Sequence, residues 1–582
     1  ICDWDGQKCL NTHIQYHFIY LKLPEALAHG NEYTLKVAGL AGNLDEWNFV
    51  FDDKRTRSVA LHTNHLGYSP GGEKRYAYIS QWMGDLGPLH IDEYNGARFD
   101  IYPLNSDGSP GSSVYHGNIT KQKDYETGGP DSDKSAVGPN RNFVKSDVWE
   151  CDFSDFDTPG EYVIAVDSIG CSYPFRIHED AYHEAFYYAA RALYFERAVT
   201  ALPEQYAGKY HRPEWTERKL VYTSVRTMDL TDESGKNQKQ NIFDHIDYSF
   251  DLGGIHGWYH DAGDWDGYFS HFRVPRSLMH AYELAPDNFS DGELNIPETQ
   301  AANGYTDTHI PDILDEAVWL VDYFKNNTGP TGGIFGSRVH PDISDRDGLS
   351  NASYHEGQGF VFEDDARSLT TSYNDYRTWI VHGEDPRDSY AFASIAAQYV
   401  HCLEIAMDRT SEDYSALMAE YRSAAENAYE WASTHTLAED EQVKHFIENR
   451  AAAAAWLYKI TGSQGYLDQL KADLSEQNID SSSSNLGESK WAVWAYVTID
   501  ETDPLYSGTF DIQLKADLSQ AVENYAHRRV LESIEDKNRS MRMGGDFSQP
   551  VWNGQATTPW ILPAMVAYRV TGSQNYLDAC YL

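Results

Sequence analysis

At residue 179 the hydrophobic rhythm of this chain changes. Before it, apolar residues alternate in short runs, the period of strands with one buried face; after it they recur every three to four positions, the period of helices. One architecture cannot serve both parts, so the chain reads as multidomain. The candidate strands of 56–178 are Ser58–Thr63, Arg75–Ser80, Ala97–Tyr102, Phe143–Phe153, Gly160–Asp167 and Ser172–Ile177. Closely spaced turn residues separate them, which predicts an immunoglobulin-like β-sandwich. The stretch 121–140 reads as a long polar loop. Residues 1–55 carry two further strand-like runs, Tyr16–Leu23 and Tyr33–Val37, with Gly30-Asn31 between them. They are too few for a sandwich, and predict a partial β domain or an N-terminal β extension.

From 179 to 582 the periodicity predicts helices over Ala181–Leu202, 274–285, Pro311–Asn327, 389–408, 411–435, 441–460, 463–477, 488–498, 514–532 and 556–570, with no strands between them. In the third of these, Pro311 is expected at the first helical position. Some 400 helical residues are too many for a simple bundle; paired helices in a closed double ring would organise them. An internal repeat supports that: Tyr458-Lys459-Ile460-Thr461-Gly462-Ser463-Gln464-Gly465-Tyr466-Leu467-Asp468 recurs as Tyr568-Arg569-Val570-Thr571-Gly572-Ser573-Gln574-Asn575-Tyr576-Leu577-Asp578. Each copy is expected to end a helix at Thr-Gly and start the next with Ser as its cap. The second copy breaks off at Leu582; counting the helix cut off there, the helices number about eleven where a six-hairpin ring needs twelve, so the barrel is expected to be incomplete at its C-terminus. The chain opens at Ile1 rather than Met, so either a leader is expected to have been removed or the N-terminus is incomplete.

Charge narrows the partners. Lys plus Arg number 46 and Asp plus Glu 89, a net charge of −43, which speaks against nucleic acid or an anionic membrane. No apolar run reaches the length of a membrane span. Trp 15, Tyr 41 and Phe 23 bring aromatics to 14%; faces of this kind with polar edges suit sugars, though large helical cores also consume them. The six cysteines form no CxxC. Cys151 and Cys171 bracket two strand-like runs and are read as either a disulfide or two free thiols.

The segment Gly257-Trp258-Tyr259-His260-Asp261-Ala262-Gly263-Asp264-Trp265-Asp266-Gly267-Tyr268 concentrates three carboxylates among aromatics and glycines. On a helical turn Asp261 and Asp264 would share a face and could hold one water between them. Adjacent carboxylates raise each other's proton affinity, which makes a base. The competing reading is an Asp-rich turn binding Ca²⁺; Trp258, Tyr259, Trp265 and Tyr268 weigh against it. His256, His260 and His271 lack the HExxH spacing of zinc proteases, and His260 is expected to hydrogen-bond rather than ligate.

This segment resembles the signature of glycoside hydrolase family 9. The resemblance continues in Ile310-Pro311-Asp312-Ile313-Leu314-Asp315-Glu316, in Asp388-Ser389-Tyr390-Ala391-Phe392-Ala393 and in the two Thr-Gly-Ser-Gln turns. Asn64-His65-Leu66-Gly67-Tyr68-Ser69-Pro70 and Ser172–Ile177 resemble the first and last strands of the immunoglobulin-like domain that often precedes that family's (α/α)6 barrel. The resemblance implies an N-terminal sandwich followed by an all-α (α/α)6 barrel. It implies an inverting glycosidase acting on β-1,4-linked glucan or glucosaminide chains. Asp264 would be the general base and Asp261 would help hold the water. The general acid is unknown: no segment matches the family's acid-bearing motifs. Arg273–Leu278, Tyr282-Glu283-Leu284 and Leu294–Glu298 are similar to the branch with exo-acting β-glucosaminidases, where Asp266 could meet an amine.

Substrate contacts are expected from Trp258, Tyr259, His260, Trp265, Asp266, Tyr376 and Trp379, the last two in the long loop 330–388. Glu488, Asp546, Trp552 and Trp560 are expected near the cleft, with Glu363 and Glu488 as fallback acids. No cofactor is required, no metal ligand set is expected, and a structural Ca²⁺ is conceivable. The partner is an oligo- or polysaccharide; the location is secreted or periplasmic. The competing function is a non-catalytic carbohydrate-binding protein on the same barrel.

Overall fold

The computed structural model describes residues 18–40, 43–123, 146–197, 200–213, 220–226, 246–247, 259, 269–300, 305, 309–335, 338–339, 352–355, 359–362, 379–435, 445–535, 542 and 561–582. The chain divides into two compact units, one of residues 1–182, 532–558 and 581–582, the other of 183–531 and 559–580.

In the first unit β1 (Glu32–Lys36) and β2 (Glu46–Val50) form a two-stranded antiparallel ribbon. The expected strand Tyr16–Leu23 is not one: residues 18–23 are irregular and exposed except for Tyr20. The sandwich follows as β3 (Leu61–His62), β4 (Tyr76–Ile79), β5 (Arg98–Pro103), β6 (Tyr115–Lys123), β7 (Val148–Asp152), β8 (Gly160–Val166), β9 (Gly170–Cys171) and β10 (Phe175–Ile177). The strand path is β10-β8-β5-β6-β7-β4-β3, with β9 on β8. β6 joins the two halves: Tyr115–Asn118 pair with β5, and Ile119–Lys123 pair with β7. Its Gly117 is required, because a Cβ there would lie 2.5 Å from the Phe99 ring. Ala77, Ile79, Phe99, Ile101, Ile119, Trp149 and Ile164 make the core. Tyr68 lies edge-on to Phe153 and Phe175 and donates its hydroxyl to the Tyr76 carbonyl at 2.8 Å. Cys151 on β7 and Cys171 on β9 are buried free thiols, and burial pushes both upward in pKa; the disulfide alternative is not realised.

The second unit is helical. Its elements are α1 (His183–Glu196), α2 (Glu204–Ala207), α3 (Arg273–Leu284), α4 (Asp312–Asn326), α5 (Pro386–Arg409), α6 (Ser415–Thr434), α7 (Phe446–Thr461), α8 (Gln464–Glu476), α9 (Lys490–Val497), α10 (Ile512–Ala526), α12 (Ile561–Thr571) and α13 (Gln574–Tyr581), with the short α11 (Glu532–Glu535) assigned to the first unit. α7 carries Ala451–Ala455, each at most 1% exposed, and this small-residue run lets α5 and α9 approach it closely. Hydrogen bonds show α3, α5, α7 and α9 running parallel. Near their N-terminal ends Arg276 reaches Ser394 at 2.8 Å and Asn449 at 3.2 Å, and Arg273 reaches Glu488 at 2.8 Å. At their C-terminal ends Lys459 pairs with Glu283 and donates to Thr498 at 2.7 Å, while His401 lies 3.4 Å from Glu283. Among the described residues no helix is long and apolar enough to cross a membrane.

Three local expectations differ from what is observed. Pro311 stands one residue before α4, in extended geometry, where its carbonyl accepts the first helical N–H groups. Ser463 occupies the N-cap backbone position of α8 but its hydroxyl caps nothing. Strands do occur in this unit: β11 (Leu220–Arg226), β12 (Ile246–Asp247), β13 (Arg338–Val339) and β16 (Trp379–Gly383) make a sheet in the order β12-β11-β16-β13, and β14 (Ala352–His355) pairs with β15 (Gly359–Phe362). β11 and β16 are parallel and far apart in sequence, a pairing that local patterns do not reveal.

The repeat is structural. Gly462 and Gly572 have φ of 63° and 68°, and their N–H groups donate to Tyr458 and Tyr568 at 2.8 and 2.7 Å. Ser463 and Ser573 each donate a backbone N–H to the threonine hydroxyl at 3.2 Å. Gln464 and Gln574 donate to Asp468 and Asp578 at 2.8 and 3.0 Å. The surroundings differ: a Cβ on Gly462 would collide with the Leu505 carbonyl, while one on Gly572 meets nothing. Gly572→Ala should therefore cost only the left-handed penalty, about 1–2 kcal/mol, and Gly462→Ala clearly more. Equal losses of melting temperature would show that the Leu505 approach does not constrain the turn.

Candidate active site

Within 257–268 the structure describes Tyr259, and it is not a sugar-facing platform as expected. Its side chain is 4% exposed. Its hydroxyl bonds to Glu316, at 2.9 Å to the carbonyl and 2.5 Å to Oε1. Residue 259 also bridges Arg197 through the backbone. Arg197, 2% exposed, donates from Nη2 to Glu316 Oε2 at 2.9 Å and from Nε to Oε1 at 3.4 Å. The guanidinium lies over Trp319, 4.6 Å from the ring centroid. Glu316 thus receives the arginine and the phenol together. Burial and the adjacent Glu316 carboxylate push the Tyr259 phenol well up, so it stays a neutral donor.

A second anchor lies on the far side of the motif. Phe272 stacks on Phe324 with ring centroids 4.3 Å apart and planes within 17°. Glu316 and Phe324 are both on α4, eight residues or about 12 Å of helix apart. The two flanks of the motif are therefore fixed to one helix, and α3 begins at Arg273 directly after the second anchor. α4 is itself held at its start. Asp312 accepts the N–H groups of Gly292 and Leu294 at 2.8 and 2.6 Å, and Asp315 accepts that of Thr299 at 3.0 Å. Burial raises both carboxyls above their ordinary range.

Asp261, Asp264, Trp258, His260, Trp265, Asp266 and Tyr376 lie outside the described residues, as do Glu363, Asp546, Trp552 and Trp560. Trp379 is the first residue of β16. Among the described residues no cluster of His, Cys, Asp and Glu has the arrangement of a metal site.

Glu488 is not suited to act as an acid. Burial alone would raise its pKa, but Lys490 at 3.1 Å, Arg273 at 2.8 Å and the Trp491 indole N–H at 2.9 Å outweigh burial and hold it at about 2. Asp388 shows the opposite balance. It is 1% exposed, and with only Arg387 attracting it, burial lifts it to about 7.

The sequence reading placed Ile310–Glu316 at a helix start without assigning Glu316 a role, and passed over Arg197 entirely. The signal for Glu316 was present: a carboxylate in the middle of the buried stripe of an amphipathic helix requires a partner.

Residues 182–580 match the pattern of glycosyl hydrolase family 9, and the chain belongs to that family. It is 26% identical over 290 residues to a xyloglucan-specific endo-β-1,4-glucanase of Bacteroides ovatus, covering 49% of this chain and 40% of that protein. A cellulose 1,4-β-cellobiosidase of Acetivibrio thermocellus is 33% identical over 196 residues, 30% of this chain and 20% of that one. The chain thus spans less than half the length of the curated relatives it matches. In fold it resembles the structure described as Bacteroides ovatus GH9, with a TM-score of 0.61 at 20% identity over 90% of this chain and 83% of the other. A metagenome-derived family 9 endoglucanase gives 0.61 at 19% over 89% and 81%. The β-sandwich followed by an (α/α)6 barrel is the fold these structures share with it.

Glu316→Gln leaves the buried Arg197 without its charge partner and should destabilise the chain by about 3–5 kcal/mol; a urea-unfolding difference below about 1 kcal/mol would show that the pair does not hold the motif. The pKa of Glu488 lies below its ordinary value of 4.5, so its ionic contribution is complete above about pH 4.5 and lost as pH falls through about 2. Glu488→Gln should accordingly lie below the parent in urea midpoint near pH 7, with the gap closing between about pH 4.5 and 2. A gap independent of pH would remove the charge from the explanation.

Proposed function

We propose that the chain hydrolyses the β-1,4-linked backbone of a glucan with inversion, Asp264 activating the water and Asp261 helping to hold it. The observation that carries this reading is the double anchor. Tyr259 bonded to Glu316 and Phe272 stacked on Phe324 tie the described residues on either side of the Asp-Ala-Gly-Asp segment to one helix. That is what a general base needs, since a misplacement of one ångström can cost about a hundredfold in rate. Supporting it are the endoglucanase and cellobiosidase names of the relatives. The cations around Glu488 hold its pKa at about 2, which argues against it as the acid; inversion requires an acid roughly 6.5–9.5 Å from the base. Polymer substrates do not enter cells, so the enzyme is placed outside the cytoplasm. Trp258, His260, Trp265, Asp266, Tyr376 and Trp379 are proposed as sugar contacts, while Tyr259 serves as the anchor. A glucosaminide is the other substrate this site could take, through Asp266.

Asp264→Asn should lower kcat by about 10²–10⁴-fold while cellotetraose still binds. Retention of more than half the parent kcat would remove Asp264 from the role. Cellotetraose and glucosamine tetrasaccharide, compared with product anomers read by NMR, separate the two substrate classes; a retained anomer would overturn inversion, and binding without cleavage of either would leave a carbohydrate-binding protein.

A further inference from the structure

Where α5, α6, α7 and α8 meet, a cavity of about 440 Å³ is lined by Tyr390, Tyr429, Tyr466, Arg450, Ser463 and Gly465 among others. Its size falls within the range of small-ligand pockets, roughly 300–1,000 Å³. We propose that this cavity is a second carbohydrate site that takes one or two neutral pyranose units of a gluco-oligosaccharide.

The chemistry of the walls argues for that ligand. Tyr390 and Tyr429 meet edge to face with centroids 5.1 Å apart and planes at 71°; Tyr429 and Tyr466 do so at 5.1 Å and 88°. Successive perpendicular rings offer both flat faces and hydroxyl-bearing edges to one space. None of these three hydroxyls makes a hydrogen bond to the described residues, whereas other tyrosines nearby do, such as Tyr458 with Thr509 and Tyr496 with the Asp511 carbonyl. Burial keeps the Tyr390 phenol neutral, with its pKa pushed up to about 12. The hydroxyl of Ser463 stands at the start of α8 without capping it.

Charge selects against ions. Arg450 is locked to Asp473 by Nε at 3.1 Å and Nη2 at 2.6 Å. That pair fixes the guanidinium and cancels its charge, so the cavity attracts neither anions nor cations strongly. A ligand with an apolar face and a rim of hydroxyls fits such a wall.

The repeat supplies an internal control. In the second copy the equivalent tyrosine, Tyr576, is 3% exposed and its hydroxyl points at the Glu523 carbonyl at 3.4 Å. In the first copy Tyr466 is only half-buried, and Gly465 replaces the Asn575 of the second. Neither conformation nor packing requires that glycine: its φ is not left-handed, and a Cβ there would meet no described atom within 4 Å. The missing side chain keeps the mouth of the cavity clear.

The ligand class rests on the glycan reading above, so the test separates the two. Cellotetraose is titrated calorimetrically into the full chain carrying Asp264→Asn, to prevent turnover. Two classes of site are expected. Adding Gly465→Leu, which narrows the mouth, or Tyr466→Ala, which removes one wall, should weaken the second class by about tenfold or more and spare the first. In the parent background Gly465→Leu should leave kcat/KM for cellotetraose within about twofold. A single class of site, or a second class that survives both substitutions, overturns the proposal. Preference of this second class for glucosamine tetrasaccharide by more than tenfold overturns the neutral-sugar assignment. Should Asp264→Asn remain active, the catalytic reading fails, and the titrations of Gly465→Leu and Tyr466→Ala are made with a thio-linked cellotetraose that resists hydrolysis, which decides the cavity independently.

Discussion

The pairing of Arg197 with Glu316 is the constraint on which the motif depends. Removing two charges from water costs several kcal/mol per ion, and such pairs add little to net stability. What this pair supplies is position. Glu316 is one residue on a buried stripe whose neighbours Ile313, Leu314, Ala317 and Leu320 are at most 1% exposed, so its carboxylate has few places to go. Arg197 fills one side of it, Trp319 covers the guanidinium, and the remaining acceptor capacity is met by the Tyr259 phenol. Each group is where it is because another would otherwise be buried without a partner. Tyr259, two residues before the Asp-Ala-Gly-Asp segment, is held by that set of contacts.

The same physics sorts the carboxylates at the N-terminal ends of the inner helices. Glu488 and Asp388 are both withdrawn from water, and burial raises both. Three donors surround Glu488, two of them cationic, and their attraction outweighs burial. Asp388 has one arginine, and its own burial dominates. Any acid that must hold a proton before the glycosidic bond breaks belongs in surroundings of the second kind, poor in cations and shielded from water. The cluster of Arg273, Arg276 and Lys490 gives the approach to α9 surroundings of the first kind.

Legibility in the sequence followed the range of the interactions. Most helices were read to within a few residues because their signal is periodic and local; α3 was expected at 274–285 and occupies Arg273–Leu284, whereas the helix expected over Ala181–Leu202 ends at Glu196. The sandwich strands were read for the same reason, except the two-residue β9 and the nine-residue β6. Its Gly117 and Asn118 look like a turn, and only the Phe99 ring across the sheet explains the glycine. The inserted sheet was missed because β11 and β16 are joined by partners more than a hundred residues away. Tyr259 was misjudged differently. An aromatic beside a catalytic-type motif resembles a sugar platform, and nothing in its neighbours reveals that its hydroxyl is bound to a helix more than fifty residues on.

The two copies of the Thr-Gly-Ser-Gln turn show where local encoding stops. Their glycine φ angles, threonine bonds and glutamine–aspartate bonds agree closely, so eleven residues suffice to specify the turn. Its surroundings are set elsewhere. At Gly462 the Leu505 carbonyl presses on the turn, whereas Gly572 is open. At the tyrosine the order reverses: Tyr576 is sealed in the core and Tyr466 borders a cavity. A duplicated hairpin therefore provides a fixed scaffold in which one copy can be filled and the other left hollow by changes on neighbouring helices. Divergence of this kind leaves the ring intact, because the bonds that make the turn are internal to it.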